Sequence, residues 1–335
     1  MNPYPLLFHP ILKERVWGGR RLADLGKPLP PGTPIGESWE LADLPDSITG
    51  GRSRIANGPL TGRTLREAIA DHGPAIMGGA NLTDEGGFPL LVKFLDAREN
   101  LSVQVHPDEA YVQKHPEAIL KSESWIVVRA SPGAVIYKGV RPEVTAEMFA
   151  RHVADGTVVN DLIAVPVAPG ECHYLPSGTC HALGAGIVVA EIQTPSDTTF
   201  RVYDWGRTGR TLHLEQALEC IAFGAPPLDA EPPDLPVELN GLRTTILART
   251  GFFTLERLET DRALRHRIET SGMPEVWLVL AGGGLLETPD APTVPLSPGT
   301  TALLPAALQD SGAQLAADTV LIRTTLPSPL EGLIA

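Results

Sequence analysis

The chain has 335 residues, 43% hydrophobic and 20% charged, with mean hydropathy near zero. This composition excludes a disordered chain, and no run reaches the roughly 18–20 apolar residues that cross a bilayer as a helix. With 27 basic against 40 acidic side chains the formal net charge is −13, which argues against nucleic acid and anionic membranes as partners but still admits a small anionic substrate held by a few local cations.

The opening stretch MNPYPLLFHPILKERVW is broken by prolines and has neither a basic start nor a small-residue cleavage site, so no signal peptide is expected. Cys172, Cys180 and Cys220 are odd in number and form no CxxC pair, which predicts free thiols in a reducing, cytoplasmic setting. The 33 glycines and 32 prolines are well above the ~12% of average usage and predict a turn-rich, β-dominated chain.

Short apolar runs bounded by Gly, Pro or Asp predict strands at 88–96, 101–106, 125–129, 134–137, 187–193 and 199–203. Helical periodicity is expected at 64–71, 145–154 and 214–221. Many strands with a few inserted helices predict an all-β sandwich or barrel core. The five-proline stretch 224–238 reads as a linker. After it, strands are expected at 245–247, 252–258, 276–280, 300–304 and 319–325. The two blocks share features. Pro169-Gly170 precedes Pro176 as Pro298-Gly299 precedes Pro305, and Glu123-Ser-Trp125 leads into an apolar run as Glu275-Val-Trp277 does. This pattern predicts a degenerate repeat, with domains at 1–235 and 236–335. Common nucleotide and nucleophile motifs fail. There is no P-loop, Gly184-Ala-Gly186 lacks a third glycine, and Gly36-Glu37-Ser38-Trp39-Glu40 lacks the closing glycine of a nucleophile elbow.

The chemistry is concentrated in three segments. On a strand Gln104 and His106 share one face, and so do Lys121 and Glu123. In Pro169–Ala182 a Pro176-Ser-Gly178 turn delivers His181 to the following strand. One amide, two imidazoles and one carboxylate suit a borderline divalent cation such as Zn²⁺, Fe²⁺, Mn²⁺ or Co²⁺, and leaving room for substrate suits a catalytic site. His173 lies on the strand before the turn and is not expected to be a ligand. Cys172 and Cys180 read as small buried hydrophobes.

QVHP, KSESW, PSGTCHA and EIQTPSDTTFRVYD, with the earlier KERVWGG and FPLLVKFLDA, resemble the type I mannose-6-phosphate isomerase family, especially its short bacterial form, and the third segment resembles a cupin signature. The likeness runs from about residue 6 to 222. It implies a mainly β fold of two cupin-type jelly-roll barrels with a small helical segment inserted near 60–80, 143–163 and 212–222. It implies one zinc on Gln104, His106, Glu123 and His181, and interconversion of mannose 6-phosphate and fructose 6-phosphate. By resemblance Arg201 is the active-site arginine, and Lys121 and Glu191 line the pocket. The second block lacks Gln-x-His and is expected to be metal-free. Glu191, Lys121 or a water on the metal are the candidate bases, and Arg201, Lys93, Lys121 and Arg15 are available for the phosphate. The competing expectation is a sugar-phosphate-binding cupin without catalysis. A monomer or weak homodimer is expected.

Overall fold

A computed structural model describes residues 2–225 and 233–327. The chain is mainly β, with helices confined to connections. The strands that build the site are β1 (Leu6–Leu7), β2 (Ile11–Gly19), β3 (Ile35–Leu41), β4 (Leu91–Ala97), β5 (Val103–Val105), β6 (Glu123–Ala130), β7 (Val135–Val140), β8 (Leu162–Pro166), β9 (Cys172–Leu175), β10 (His181–Leu183), β11 (Ile187–Gln193) and β12 (Phe200–Tyr203).

Two sheets face each other in the first block. One runs β2-β3-β4-β11-β6-β9 and the other β12-β5-β10-β7-β8. Directly opposed residues in antiparallel strands point to the same face, so register defines rows across each sheet. Trp39, Lys93, Glu191, Trp125 and His173 form one row. Gln193 stands opposite Glu123 two residues further along. On the other sheet Arg201, Gln104, His181 and Lys138 form a row. An apolar cluster that includes Trp17, Leu95, Val127, Leu183 and Val189 packs residues of both sheets together.

The second block contains a seven-stranded and a four-stranded sheet. Strand β1 pairs with Thr301–Leu304 in the seven-stranded sheet, and one hydrophobic cluster joins Phe94 and Ile192 to Leu255 and Leu278. The N-terminal segment is therefore bound to the far end of the chain. Of the expected linker, residues 226–232 lie outside the described residues. Val237–Leu239 is a strand paired with Leu242–Arg249.

Helix α1 (Leu65–Met77) starts at Thr64, whose hydroxyl accepts from the Glu67 amide while the Glu67 carboxylate accepts from the Thr64 amide. Such a capping box contributes about 1 kcal/mol. His72 is non-helical and Pro74 follows it, which is why periodicity in the sequence stops at Asp71. Helix α2 (Glu109–Lys114) is capped by Asp108. Helix α3 (Ala146–Ala154) is capped by Thr145, and α4 (Leu214–Cys220) follows β12 closely.

Candidate metal centre

Gln104, His106 and His181 come from the smaller sheet and its margin, and Glu123 begins β6 of the larger one. The Pro176–Gly178 turn sets His181. Gly178 adopts a φ of +81°, and a Cβ there would meet the Cys220 carbonyl at 2.9 Å, so glycine is required on both counts.

His106, Glu123 and His181 are buried, and one donor atom from each lies within 4.8 Å of the other two. His181 Nε2 is 3.1 Å from Glu123 Oε1, and His106 Nε2 is 3.5 Å from Oε2. His106 Nδ1 lies 3.0 Å from the Thr198 carbonyl, and His181 Nδ1 lies 2.8 Å from that of Thr179. A carbonyl only accepts, so each Nδ1 must carry the proton and each Nε2 a bare lone pair. His106 Nε2 and Glu123 Oε1 are buried without a hydrogen bond, and Glu123 Oε2 has only the Lys121 ammonium beside it. Lone pairs that face one another in a dry interior are costly unless a cation lies between them. This donor set therefore fits a divalent metal. Gln104 Nε2 lies 3.3 Å from His181 Nε2, and turning its amide over would present Oε1 to the same point.

Lys121 Nζ is 2.9 Å from Glu123 Oε2. Burial would raise the Glu123 carboxyl, but the Lys121 charge and the contacts with His106 and His181 outweigh it and hold the group well below the usual range. Burial, then the Lys121 charge, push the His106 imidazole down to about 3, which keeps it neutral and able to bind metal near pH 7. Glu191 is engaged on both oxygens, by Lys93 Nζ at 3.0 Å and by the Trp125 indole at 2.9 Å. Trp125 also sets its edge against the His181 ring. Arg201 donates to Ser102 Oγ and to the Thr211 carbonyl.

The family model for the catalytic domain of type I phosphomannose isomerase matches residues 6–124. The mannose-6-phosphate isomerase of Streptococcus mutans is 37% identical over 267 residues, 78% of this chain and 80% of that relative. The chain belongs to the mannose-6-phosphate isomerase family. The crystal structure of the Bacillus subtilis mannose 6-phosphate isomerase superposes with a TM-score of 0.85 at 29% identity, over 96% of this chain and 99% of that one. A mannose 6-phosphate isomerase bound with zinc and yttrium shares the fold at 19% identity and a TM-score of 0.72, over 96% of this chain and 99% of its own.

The groups that hold this cluster's surroundings in place include Glu37, which was not among the expected site residues. Glu37 accepts from Arg15 Nε at 2.7 Å and from the Trp39 indole at 2.6 Å. Burial opposes its charge, yet Lys93 and Arg15 hold the Glu37 carboxyl down at about 2. The available signal was the carboxylate and indole at i, i+2 in Glu37-Ser-Trp39, which also faces inward from β3. His173 bonds Glu171 at 3.3 Å, away from the cluster. Trp17 and Trp125 both pack in the apolar cluster shared by the two sheets. Among the described residues Arg201 makes no ion pair with Asp197 and is held by Ser102 and Thr211. Asp204 instead pairs with Arg207 and Arg210.

Proposed function

We propose that the chain interconverts mannose 6-phosphate and fructose 6-phosphate by moving a proton between C1 and C2 through an enediol(ate), using one divalent ion, with zinc the first candidate, held by Gln104, His106, Glu123 and His181. The observation that carries the reading is the buried His106–Glu123–His181 trio, whose donor atoms converge within 4.8 Å and include a His106 Nε2 without a hydrogen bond, in a chain 37% identical to a mannose-6-phosphate isomerase.

When bound, a divalent ion supplies Lewis-acid stabilisation of negative charge on the two sugar oxygens. The protein's own groups do the rest. Lys121, a buried cation next to Glu123, gives a proton to the developing enediolate oxygen and takes it back as the carbonyl re-forms. Glu191, fixed by Lys93 and Trp125, accepts a hydrogen bond from a substrate hydroxyl and orients the reacting carbons. Arg201 offers positive charge where the enediolate develops it. The apolar cluster that includes Trp125, which packs against the His181 ring, helps keep bulk water from the reacting carbons.

We assign the catalytic role to a cupin-type jelly roll within residues 1–235 and read 236–335 as a second, metal-free one. The free Cys172, Cys180 and Cys220 support a cytoplasmic location. The test is a coupled assay of mannose 6-phosphate conversion before and after chelation with EDTA. Reversible loss of turnover is expected. A metal-loaded protein that binds fructose 6-phosphate without converting it would instead be a binding protein.

A further inference from the structure

Arg15 lies on β2, and its side chain crosses β3 at Gly36. A Cβ on Gly36 would stand 2.6 Å from Arg15 Cβ, 2.7 Å from its Cγ and 2.7 Å from Trp17 Cζ3. Only glycine leaves that passage open. Beyond the crossing, Arg15 Nε donates to Glu37 Oε1 at 2.7 Å, and Glu37 Oε2 is taken by the Trp39 indole at 2.6 Å. A carboxylate whose side chain is only 11% exposed thus spends one oxygen fixing a guanidinium whose side chain remains 34% exposed. An ordinary surface ion pair needs neither the glycine passage nor the indole brace.

The guanidinium does not stand alone. Lys13 Nζ sits 4.2 Å from the Trp39 ring and Lys93 Nζ 5.4 Å from it. From the opposite sheet Arg201 is held by a hydroxyl and a carbonyl and, among the described residues, by no carboxylate. Arg15 and Arg201 feel each other's charge, and Arg15 also feels Asp197. These cations come from two sheets and outnumber the carboxylates beside them, Glu37 on Arg15, Glu191 on Lys93 and Asp197 nearby, which suits a dianion. The planar fork of an arginine that is already oriented binds phosphate oxygens with little further ordering cost.

We propose that Arg15, routed over Gly36 and braced by Glu37, is an anchor for the phosphate of the sugar substrate. This rests on the isomerase reading above.

Metal-loaded wild type, Arg15→Gln, Arg15→Lys and Gly36→Ala are compared for kcat and KM with mannose 6-phosphate and for inhibition by inorganic phosphate. Circular dichroism and metal content check each protein. Arg15→Gln is expected to raise KM and the phosphate inhibition constant roughly ten- to a hundredfold, with kcat changed less than about threefold. Arg15→Lys should fall between, because it keeps the charge but loses the fork. Gly36→Ala keeps the arginine but blocks its path, so it should reproduce the Gln phenotype, and it carries the test if Arg15→Gln fails to fold. Unchanged KM and phosphate inhibition in these variants would overturn the assignment, as would a wild type indifferent to inorganic phosphate. Phosphate binding lost with Arg15, in a protein that converts no mannose 6-phosphate, would uphold the anion site while refuting the isomerase reading.

Discussion

Glu123 and His181 face each other with Oε1 and Nε2 3.1 Å apart, although β6 and β10 belong to different sheets. Neither strand's hydrogen-bond ladder enforces that approach. It depends on both sheets closing over one interior, with a backbone carbonyl turning His181 so that its bare nitrogen points at the carboxylate.

Removing either imidazole should therefore separate metal binding from folding. His106→Ala and His181→Ala are each expected to lower metal affinity more than about a hundredfold, beyond what loss of a supporting group costs, and to abolish turnover. The far-UV circular dichroism should stay that of the wild type. Elemental analysis after dialysis reads the result, and full metal content in either variant would contradict the ligand assignment.

Lys121 contacts a proposed ligand without being one. Lys121→Met is expected to keep one metal per chain and to lose about 10²–10⁴ in kcat, the usual range for a proton-transfer group. Wild-type turnover in this variant would leave the proton with another group.

Arg201 touches Ser102 and Thr211 and none of the proposed ligands. Arg201→Ala should retain metal and lose roughly a hundredfold or more in kcat, as expected for a charge aimed at the transition state. A variant with normal kcat would reduce Arg201 to holding the 204–213 segment in place.

Glu37 gives a pH dependence of stability. Its folded carboxyl titrates at about 2 against an ordinary value of 4.5. A depressed carboxyl contributes stability that is complete above its unfolded value and is lost as pH falls through 4.5 toward 2. The difference corresponds to about 3 kcal/mol. Urea unfolding from pH 6 to pH 2.5 should show wild type losing stability more steeply than Glu37→Gln, and parallel curves would contradict the pairing.

The site was legible where period-two spacing and turn chemistry act locally. Gln104 with His106, Lys121 with Glu123, and the Pro176–Gly178 turn before His181 need only neighbouring residues. So does β11, whose bounds 187–193 match the expectation. The N-terminal strands were not legible. Every residue of β3, including Ser38 and Glu40, is buried, so the apolar alternation that marks a half-exposed strand is missing. Its charges are balanced from a distance, Glu37 by Arg15 and Glu40 by Lys27 at 2.7 Å. The pairing of Leu6–Leu7 with Thr301–Leu304 links residues almost 300 positions apart, beyond any local pattern. The strand Val237–Leu239 was hidden by the prolines before it.

The central claim is one divalent ion gripped by Gln104, His106, Glu123 and His181 in support of sugar-phosphate isomerisation. The most direct test measures metal content and mannose 6-phosphate conversion on the same sample as metal is withdrawn with a chelator and returned. Turnover should fall and recover in proportion to metal, reaching its maximum at one ion per chain. Full conversion by metal-free protein would contradict the account.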